Sequence, residues 1–140
     1  RSREALYDFL EHFNAPITED GYFLAFKRVA GDFKDLYTGT FDNSPGNVVS
    51  MPRSKVDDDN SRTCSAGLHV CAEEYLRGFY GRGSDTRTVV LKVNPKDVVS
   101  VPYDYNYSKM RVCEYEVLRE VEDKEIEALE ELTLFTYDWE

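Results

Sequence analysis

Apolar residues recur at helical spacing near both ends of the chain and in one internal segment. This spacing predicts an N-terminal helix over residues 3–13, a short helix over 72–80 and an acidic C-terminal helix over 123–134. In the two terminal segments the apolar positions are Leu6, Phe9, Leu10 and Phe13, and then Ile126, Leu129 and Leu132. Each helix is expected to turn one face toward a core.

Short runs of branched and aromatic residues fill the middle of the chain and predict strands. A turn at Gly31-Asp32 is expected to join the first two runs as a hairpin. The predicted strands are 22–29, 34–41, 48–51, 88–93, 97–101 and 111–121, with a glycine bend at 64–71 that leads into a further short strand. The pattern predicts an α+β fold: a single compact domain of residues 1–140, with a mostly antiparallel sheet over 22–121 and helices at both ends.

The length of 140 residues suits one domain with one core. No apolar run approaches the roughly 20 residues that a membrane-spanning helix needs, so a transmembrane protein is not expected. The chain opens on Arg1 rather than methionine, and we expect it to be a fragment of a longer chain.

The net charge of −10 is concentrated at one end. Residues 114–140 hold 11 of the 27 acidic residues and 2 of the 17 basic ones, so the rest of the chain is close to neutral. This distribution argues against general nucleic-acid binding, which needs clustered Lys and Arg. It permits a local basic pocket, or a negative surface offered to a basic partner.

Three cysteines make an odd number, which is unusual for a disulfide framework and favours a reducing cytosol. One candidate site combines Cys64, His69, Cys71 and Cys113. His69 and Cys71 are two apart on a predicted strand and share a face, and a Cys₃His set suits structural zinc. The alternative is buried thiols without metal, because cysteine is often buried for its own sake.

A second candidate site pairs Glu114 and Glu116, which share one face of a predicted strand, with His69. Paired carboxylates perform acid–base chemistry when their surroundings separate their pKa values. The alternative is a strand whose glutamates face solvent while Cys113, Tyr115 and Val117 face inward.

A third candidate site is a pocket for an anionic, aromatic ligand such as a nucleotide. The basic residues involved lie near the bend at Gly67 and near a tyrosine-rich loop. The alternative is that they only balance the negative charge of the acidic run 57–59. The residues are Arg53, Lys55, Arg62, Lys109, Arg111, Tyr103, Tyr105 and Tyr107.

Several ordered blocks over residues 14–118 resemble the bacteriophage proteins labelled rIIB-like. They are 16–29 (PITEDGYFLAFKRV), 37–43 (YTGTFDN), 51–53 with 56–58, 62–70 (RTCSAGLHV), 93–101 (VNPKDVVSV) and 109–117 (KMRVCEYEV). The resemblance implies a virus protein that acts inside a bacterial host, in lysis timing and in escape from host or prophage exclusion. It brings no catalytic residues, and it implies a missing N-terminal portion.

A further resemblance is to the ADP-ribosyltransferase fold. Its ordered elements are matched by residues 36–40 (LYTGT), 67–70 (GLHV), Tyr75 and Glu116, or Glu114 in its place. Thr38 stands where that fold has His or Arg. The resemblance implies that an aromatic residue stacks on nicotinamide while the glutamate orients a nucleophile, with Glu116, Tyr75 and His69 as the catalytic candidates.

Two hypotheses of function therefore stand beside each other. The first is a non-enzymatic phage domain that binds a host or prophage protein in the bacterial cytoplasm, with no cofactor. The alternative is a nucleotide-handling domain that binds or uses NAD or a nucleotide signal. Its ligand would contact Arg62, Gly67, Tyr103, Tyr105, Lys109 and Arg111.

Overall fold

The computed structural model describes residues 17–59, 61–62, 65–72, 85–102 and 109–122. Within these residues the chain forms one seven-stranded sheet and two single-turn 3₁₀ helices, at Arg53–Lys55 and Pro95–Asp97. The strands are β1 Phe23–Ala30, β2 Val48–Ser50, β3 Leu68–Cys71, β4 Thr86–Val93, β5 Val98–Ser100, β6 Lys109–Val112 and β7 Glu114–Val121.

The strands lie in the order β2-β7-β4-β1-β3-β6-β5, and each neighbouring pair is antiparallel. The longest pairing joins β1 to β4, from Phe23 opposite Val93 to Ala30 opposite Thr86. Both strands are dense in branched and aromatic residues, which pack well on a pleated surface. This pair forms the middle of the sheet.

The sheet must curl, because β6 and β7 are consecutive in the chain but lie sixth and second in the sheet. In a flat sheet these two positions would be about 19 Å apart. The single residue between them, Cys113, spans at most about 7 Å. Accordingly, Val49 of β2 and Val98 of β5, on the two outermost strands, belong to one buried cluster.

Alternation along the strands separates an inner face from a second face. The inner face carries the main core, whose central members include Phe23, Leu91, Val112 and Tyr115. The second face carries a smaller buried cluster. Its members are Phe26, Cys71, Val90 and Val121, with Leu24 partly buried against them.

A seam separates β1 from β3 in the middle of the sheet. These two strands pair at a single position, Phe26 opposite Cys71. On one side of the seam β1 pairs with β4 over eight positions, and on the other side β3 pairs with β6 over four. The seam matters for function because backbone groups along it need partners other than a neighbouring strand.

The predicted antiparallel sheet is confirmed, but the α+β class is wrong for the described residues. They contain strands and two 3₁₀ turns and no α-helix. The predicted strand 34–41 is also wrong, since it contributes only isolated bridges before a tight loop. The helices predicted over 3–13 and 123–134, and all but the first residue of the one over 72–80, lie outside the described residues.

Among the described residues there is no helix long and apolar enough to cross a membrane.

Candidate functional site

Four of the predicted site residues meet on the pairing of β3 with β6. His69 lies opposite Arg111, and Cys71 lies opposite Lys109. Because side chains alternate along a strand, all four belong to the second face of the sheet. This register places the glycine bend, which leads into β3, beside β6.

Arg111 is fully buried and holds the acidic loop, defined as residues 57–59 and 61–62. Its guanidinium donates to the backbone carbonyl oxygens of Asp57 at 2.7 Å, Asp59 at 2.7 Å and Arg62 at 2.6 Å. It also donates to Ser100 Oγ at 3.0 Å. These contacts assign Arg111 a structural role, since its donors are committed to the protein itself.

Gly67 permits the close passage of Arg111. Its φ is +146°, and a Cβ atom placed there would lie 2.9 Å from Val56 Cγ1 and 3.2 Å from two carbons of the Arg111 side chain. A residue with a side chain would meet both backbone strain and steric overlap. The structure therefore explains Gly67 by packing rather than by contact with a ligand.

The remaining predicted basic residues lie at the surface or donate hydrogen bonds to backbone carbonyl oxygens. Arg62 is exposed and forms ion pairs with Asp57 at 3.1 Å and Asp59 at 3.5 Å. A hydrogen bond from the Ser65 hydroxyl, followed by one from the Asp59 amide, lowers the pKa of Asp57 to about 2. Arg53 donates to the carbonyl oxygens of Lys96 and Val98 and ties the first 3₁₀ turn to β5.

His69 presents a buried imidazole nitrogen, Nε2, with no hydrogen-bond partner. Burial lowers the pKa of His69 to about 4, and the positive charges of Lys27, Arg111 and Lys109 add to that effect. The imidazole is therefore neutral at pH 7. The cations on both neighbouring strands set the electrostatics of this part of the sheet.

Lys27 is a site residue that the sequence reasoning missed. Its ammonium lies at the seam and donates to the His69 carbonyl oxygen at 2.6 Å, where a neighbouring strand would otherwise supply an amide. Burial lowers the pKa of Lys27 to about 8. One signal was available: Lys27 has the same parity as Phe23, Ala25 and Val29, which face the core.

The proposed zinc ligands do not come together among the described residues. Cys71 packs in the second-face cluster, whereas Cys113 packs with Val56 and Val99 in a separate cluster. Cys113 lies four residues along the chain from the position opposite Cys71, or about 13 Å. In the described part of the chain no three His, Cys, Asp or Glu side chains form a metal-binding group, and Cys64 lies outside it.

The proposed catalytic residues are likewise not assembled. Glu114 and Glu116 are exposed on β7, and Glu116 lies opposite Val48 on one side and Lys92 on the other. In the sheet order β4 and β1 lie between β7 and β3, so Glu116 and His69 are not on paired strands. Tyr75, Tyr103 and Tyr105 lie outside the described residues.

A second feature missed from the sequence is the Asp35 loop, defined as residues 35–41. The buried Asp35 carboxylate accepts hydrogen bonds from the backbone amides of Thr38, Thr40 and Phe41 at 2.7–2.9 Å. Burial by itself would raise the pKa of Asp35, but these bonds and the Thr38 hydroxyl outweigh it and hold the pKa below its ordinary value.

The Asp35 loop displays two large apolar side chains at the surface. Tyr37 is 82% exposed and Leu36 is 44% exposed. Gly39, at a φ of +71°, allows the chain to turn back within the loop. A single buried carboxylate thus fixes the backbone that carries an exposed tyrosine.

Comparison with known proteins identifies the relatives of this chain. Residues 1–130 match the profile of the family described as Bacteriophage T4 protein rIIB. The chain is 54% identical over 120 residues to Protein rIIB of Enterobacteria phage T4, an alignment that covers 85% of this chain and 38% of that protein. No solved structure matches. The chain is therefore a phage protein and belongs to the bacteriophage T4 rIIB family.

Proposed function

We propose that this phage domain acts by binding a host or prophage protein in the bacterial cytoplasm, in lysis timing or in escape from exclusion or defence, and that it is not an enzyme. The observation that carries the proposal is the Asp35 loop, which holds Tyr37 in solvent on a fixed backbone. Membership of the rIIB family supports the setting inside an infected cell.

The chemistry of the Asp35 loop suits a protein contact. Aromatic side chains dominate the binding energy of protein interfaces because they bury a large area with few rotatable bonds. A loop that is already ordered loses little conformational entropy on binding. Tyr37 and Leu36 would enter an apolar pocket of the partner, while the hydroxyls of Thr38 and Thr40 form the polar rim.

Charge favours a basic partner. The exposed carboxylates of Asp32 and Asp42 flank the loop, and the whole chain carries a net charge of −10. Opposite charge steers association and suppresses wrong partners more than it adds affinity. Glu116 and His69 lie on strands that are not paired with each other, which favours binding over the transferase reaction that the resemblance implied.

The proposal can be tested by site-specific photo-cross-linking in the bacterial host. A photoreactive phenylalanine analogue replaces Tyr37 in one sample and Lys55, an exposed residue of the first 3₁₀ turn, in a matched control. We expect one adduct of defined mass from position 37 that is absent from position 55. The captured protein is then purified and its affinity measured directly.

Binding to the purified partner provides the decisive measurement. Tyr37→Ala should weaken affinity by about tenfold or more, whereas Lys55→Ala should leave it unchanged. Both variants should melt at the wild-type temperature, because both side chains are exposed. Equal adducts from positions 37 and 55, or full affinity of Tyr37→Ala, would overturn the proposal.

A further inference from the structure

β2 is an outermost strand of the sheet and leaves one row of its backbone groups unpaired. On its inner side, β7 bonds to the Asn47 carbonyl oxygen at 2.8 Å and to the Met51 amide at 3.0 Å. Backbone groups alternate in direction along an antiparallel strand, so the amides and carbonyl oxygens of Val48 and Ser50 point away from β7. These four groups, named the open edge, form no hydrogen bond within the described residues.

The open edge is accessible from solvent. Val48 is 62% exposed and Ser50 is also exposed, whereas Val49 between them packs into the main core. Proteins commonly protect an outer strand with a charged side chain, a proline or a bulge, and segment 47–51 carries none of these. The outermost strand at the other end, β5, is protected, because Arg53 donates to one of its carbonyl oxygens at 3.2 Å. β2 is therefore the end of the sheet to which another strand can be added.

The side chains beside the open edge are acidic. Glu116 lies opposite Val48 and Glu114 lies opposite Ser50, and both glutamates are exposed. Neither carboxylate forms an ion pair with a described residue. A strand added to β2 would lie about 5 Å from it. The stem of a lysine or arginine opposite Val48 would then cover the valine, while its charged end reaches the Glu116 carboxylate.

A second copy of this chain suits the open edge poorly. Pairing β2 with the β2 of another copy would bring Glu114 and Glu116 of both copies toward the same junction. Each chain also carries a net charge of −10. Like charges on neighbouring strands destabilise their pairing. Charge complementarity therefore favours a basic strand from a different protein.

We propose that the open edge binds an extended segment of a partner protein with the pattern basic–apolar–basic, which joins the sheet beside β2. The backbone of the segment exchanges hydrogen bonds with Val48 and Ser50. Its apolar residue packs beside Val49 at the rim of the core, and its two basic residues pair with Glu114 and Glu116. In this mode main-chain bonds supply affinity and alternate side chains supply selectivity. The site goes beyond the protein contact proposed above and uses other residues.

The probe is a capped heptapeptide of alternating lysine and valine, TKVKVKT, and its control is TEVEVET. Amide hydrogen exchange of the protein is measured by NMR with each peptide at millimolar concentration. With the basic peptide we expect the Val48 and Ser50 amides to exchange about tenfold more slowly or less, since strand pairing removes them from water. The Val49 amide, which points toward β7, serves as the internal reference. The acidic peptide should leave all three rates unchanged.

Three variants test the backbone and the charge separately. Ser50→Pro removes an outward amide while keeping the bonds of β2 to β7, so peptide binding should be lost. Glu116→Gln should weaken binding about threefold or more at low salt. Asp85→Asn is the matched control, because it removes an exposed carboxylate next to the end of β4 that is remote from Glu116, and should leave binding unchanged. Glu116→Gln keeps the test decisive if Ser50→Pro does not fold, because Glu116 is exposed.

The proposal is overturned if the basic peptide does not protect the Val48 and Ser50 amides, or if both peptides protect them equally. Protection that rises with protein concentration in the absence of peptide identifies a second copy as the occupant and also overturns it. Full binding by a folded Ser50→Pro variant, or equal losses from Glu116→Gln and Asp85→Asn, does the same. Because the measurement is local to β2, its failure leaves the proposed contact of Tyr37 standing, and a failed cross-link at position 37 leaves the open edge standing.

Discussion

The Asp35 loop and the acidic loop are two irregular segments that are each organised by one buried charged side chain. In the Asp35 loop a carboxylate gathers backbone amides from residues at most six positions away. In the acidic loop a guanidinium gathers backbone carbonyls from residues 49–54 positions away. The hydrogen bonds of the Asp35 loop are local, whereas those of the acidic loop depend on the completed sheet.

This difference shows which interactions stabilise each loop. The Asp35 loop can form its hydrogen bonds as soon as its own residues meet, because ring closure over few residues costs little entropy. The acidic loop has no such option, since Arg111 reaches it only after β6 has paired with β3. The acidic loop should therefore lose its structure whenever the sheet unfolds. The Asp35 loop should be able to unfold while the sheet stays intact.

The largest effect is expected from Arg111→Met. This variant leaves the carbonyl oxygens of Asp57, Asp59 and Arg62 without their donor, at a cost of about 4 kcal/mol in the free energy of unfolding. Denaturant unfolding measures the loss. Proteolysis should then cut the acidic loop and spare the Asp35 loop, and equal cleavage of both would contradict the comparison.

The next largest loss of stability is expected from a comparison of two glycine substitutions. One is near the acidic loop and the other is within the Asp35 loop. Gly67→Ala combines an unfavourable φ with a contact of 2.9 Å to Val56 and should cost about 3 kcal/mol. Gly39→Ala has a φ of +71° but open space around its Cβ position, so it should cost about 1 kcal/mol. Thermal melting compares the two, and equal losses would refute the role given to close packing at Gly67.

Acid should destabilise the sheet through His69, which faces Arg111 across β3 and β6. The pKa is about 4 in the folded protein against an ordinary value of 6.5. The unfolded chain therefore binds more protons between these values, so stability falls as the pH falls from 6.5 to 4, by about 3 kcal/mol. His69→Gln should lose this part of the pH dependence; identical pH profiles of variant and wild type would exclude His69 as its source.

A smaller effect than those of Arg111→Met and Gly67→Ala is expected from Asp35→Ala. The three amides that lose their acceptor lie in an exposed loop where water replaces it, so the cost should be about 1.5 kcal/mol. Amide hydrogen exchange should accelerate at Thr38, Thr40 and Phe41 while the acidic loop is unaffected. Asp42→Ala, which removes the local bonds to Ser44, is the matched control and should cost less.

Alternation and turn chemistry predicted most of the sheet from the sequence. The strands near residues 22–29, 48–51 and 88–93 were placed within two residues of β1, β2 and β4. These segments are confirmed because their apolar positions have a period of two and their ends carry Gly, Pro or Asn. The strand predicted over 34–41 is wrong because the Asp35 carboxylate competes for the same amides that a strand would use.

The candidate site was predicted only where residues share a strand or a bend. His69 and Cys71 were assigned correctly to one face of a strand, because a spacing of two fixes a shared face. Lys27 and Tyr37 were missed, since nothing in a lysine or a tyrosine alone states whether it lies at a seam or on an ordered loop. Cys113 and Glu116 were grouped with His69 because spacing along a chain does not tell where a sheet curls.

The sequence by itself determined most of the antiparallel strands and membership of the rIIB family, since both depend on patterns within short stretches of chain. Only the tertiary structure decided that Arg111 secures the acidic loop and that Lys27 reaches the backbone of β3. The physical reason is the pairing of strands that are far apart in the chain. It brings together side chains more than 40 residues apart in sequence, and their burial, not their spacing, sets their charges and their partners.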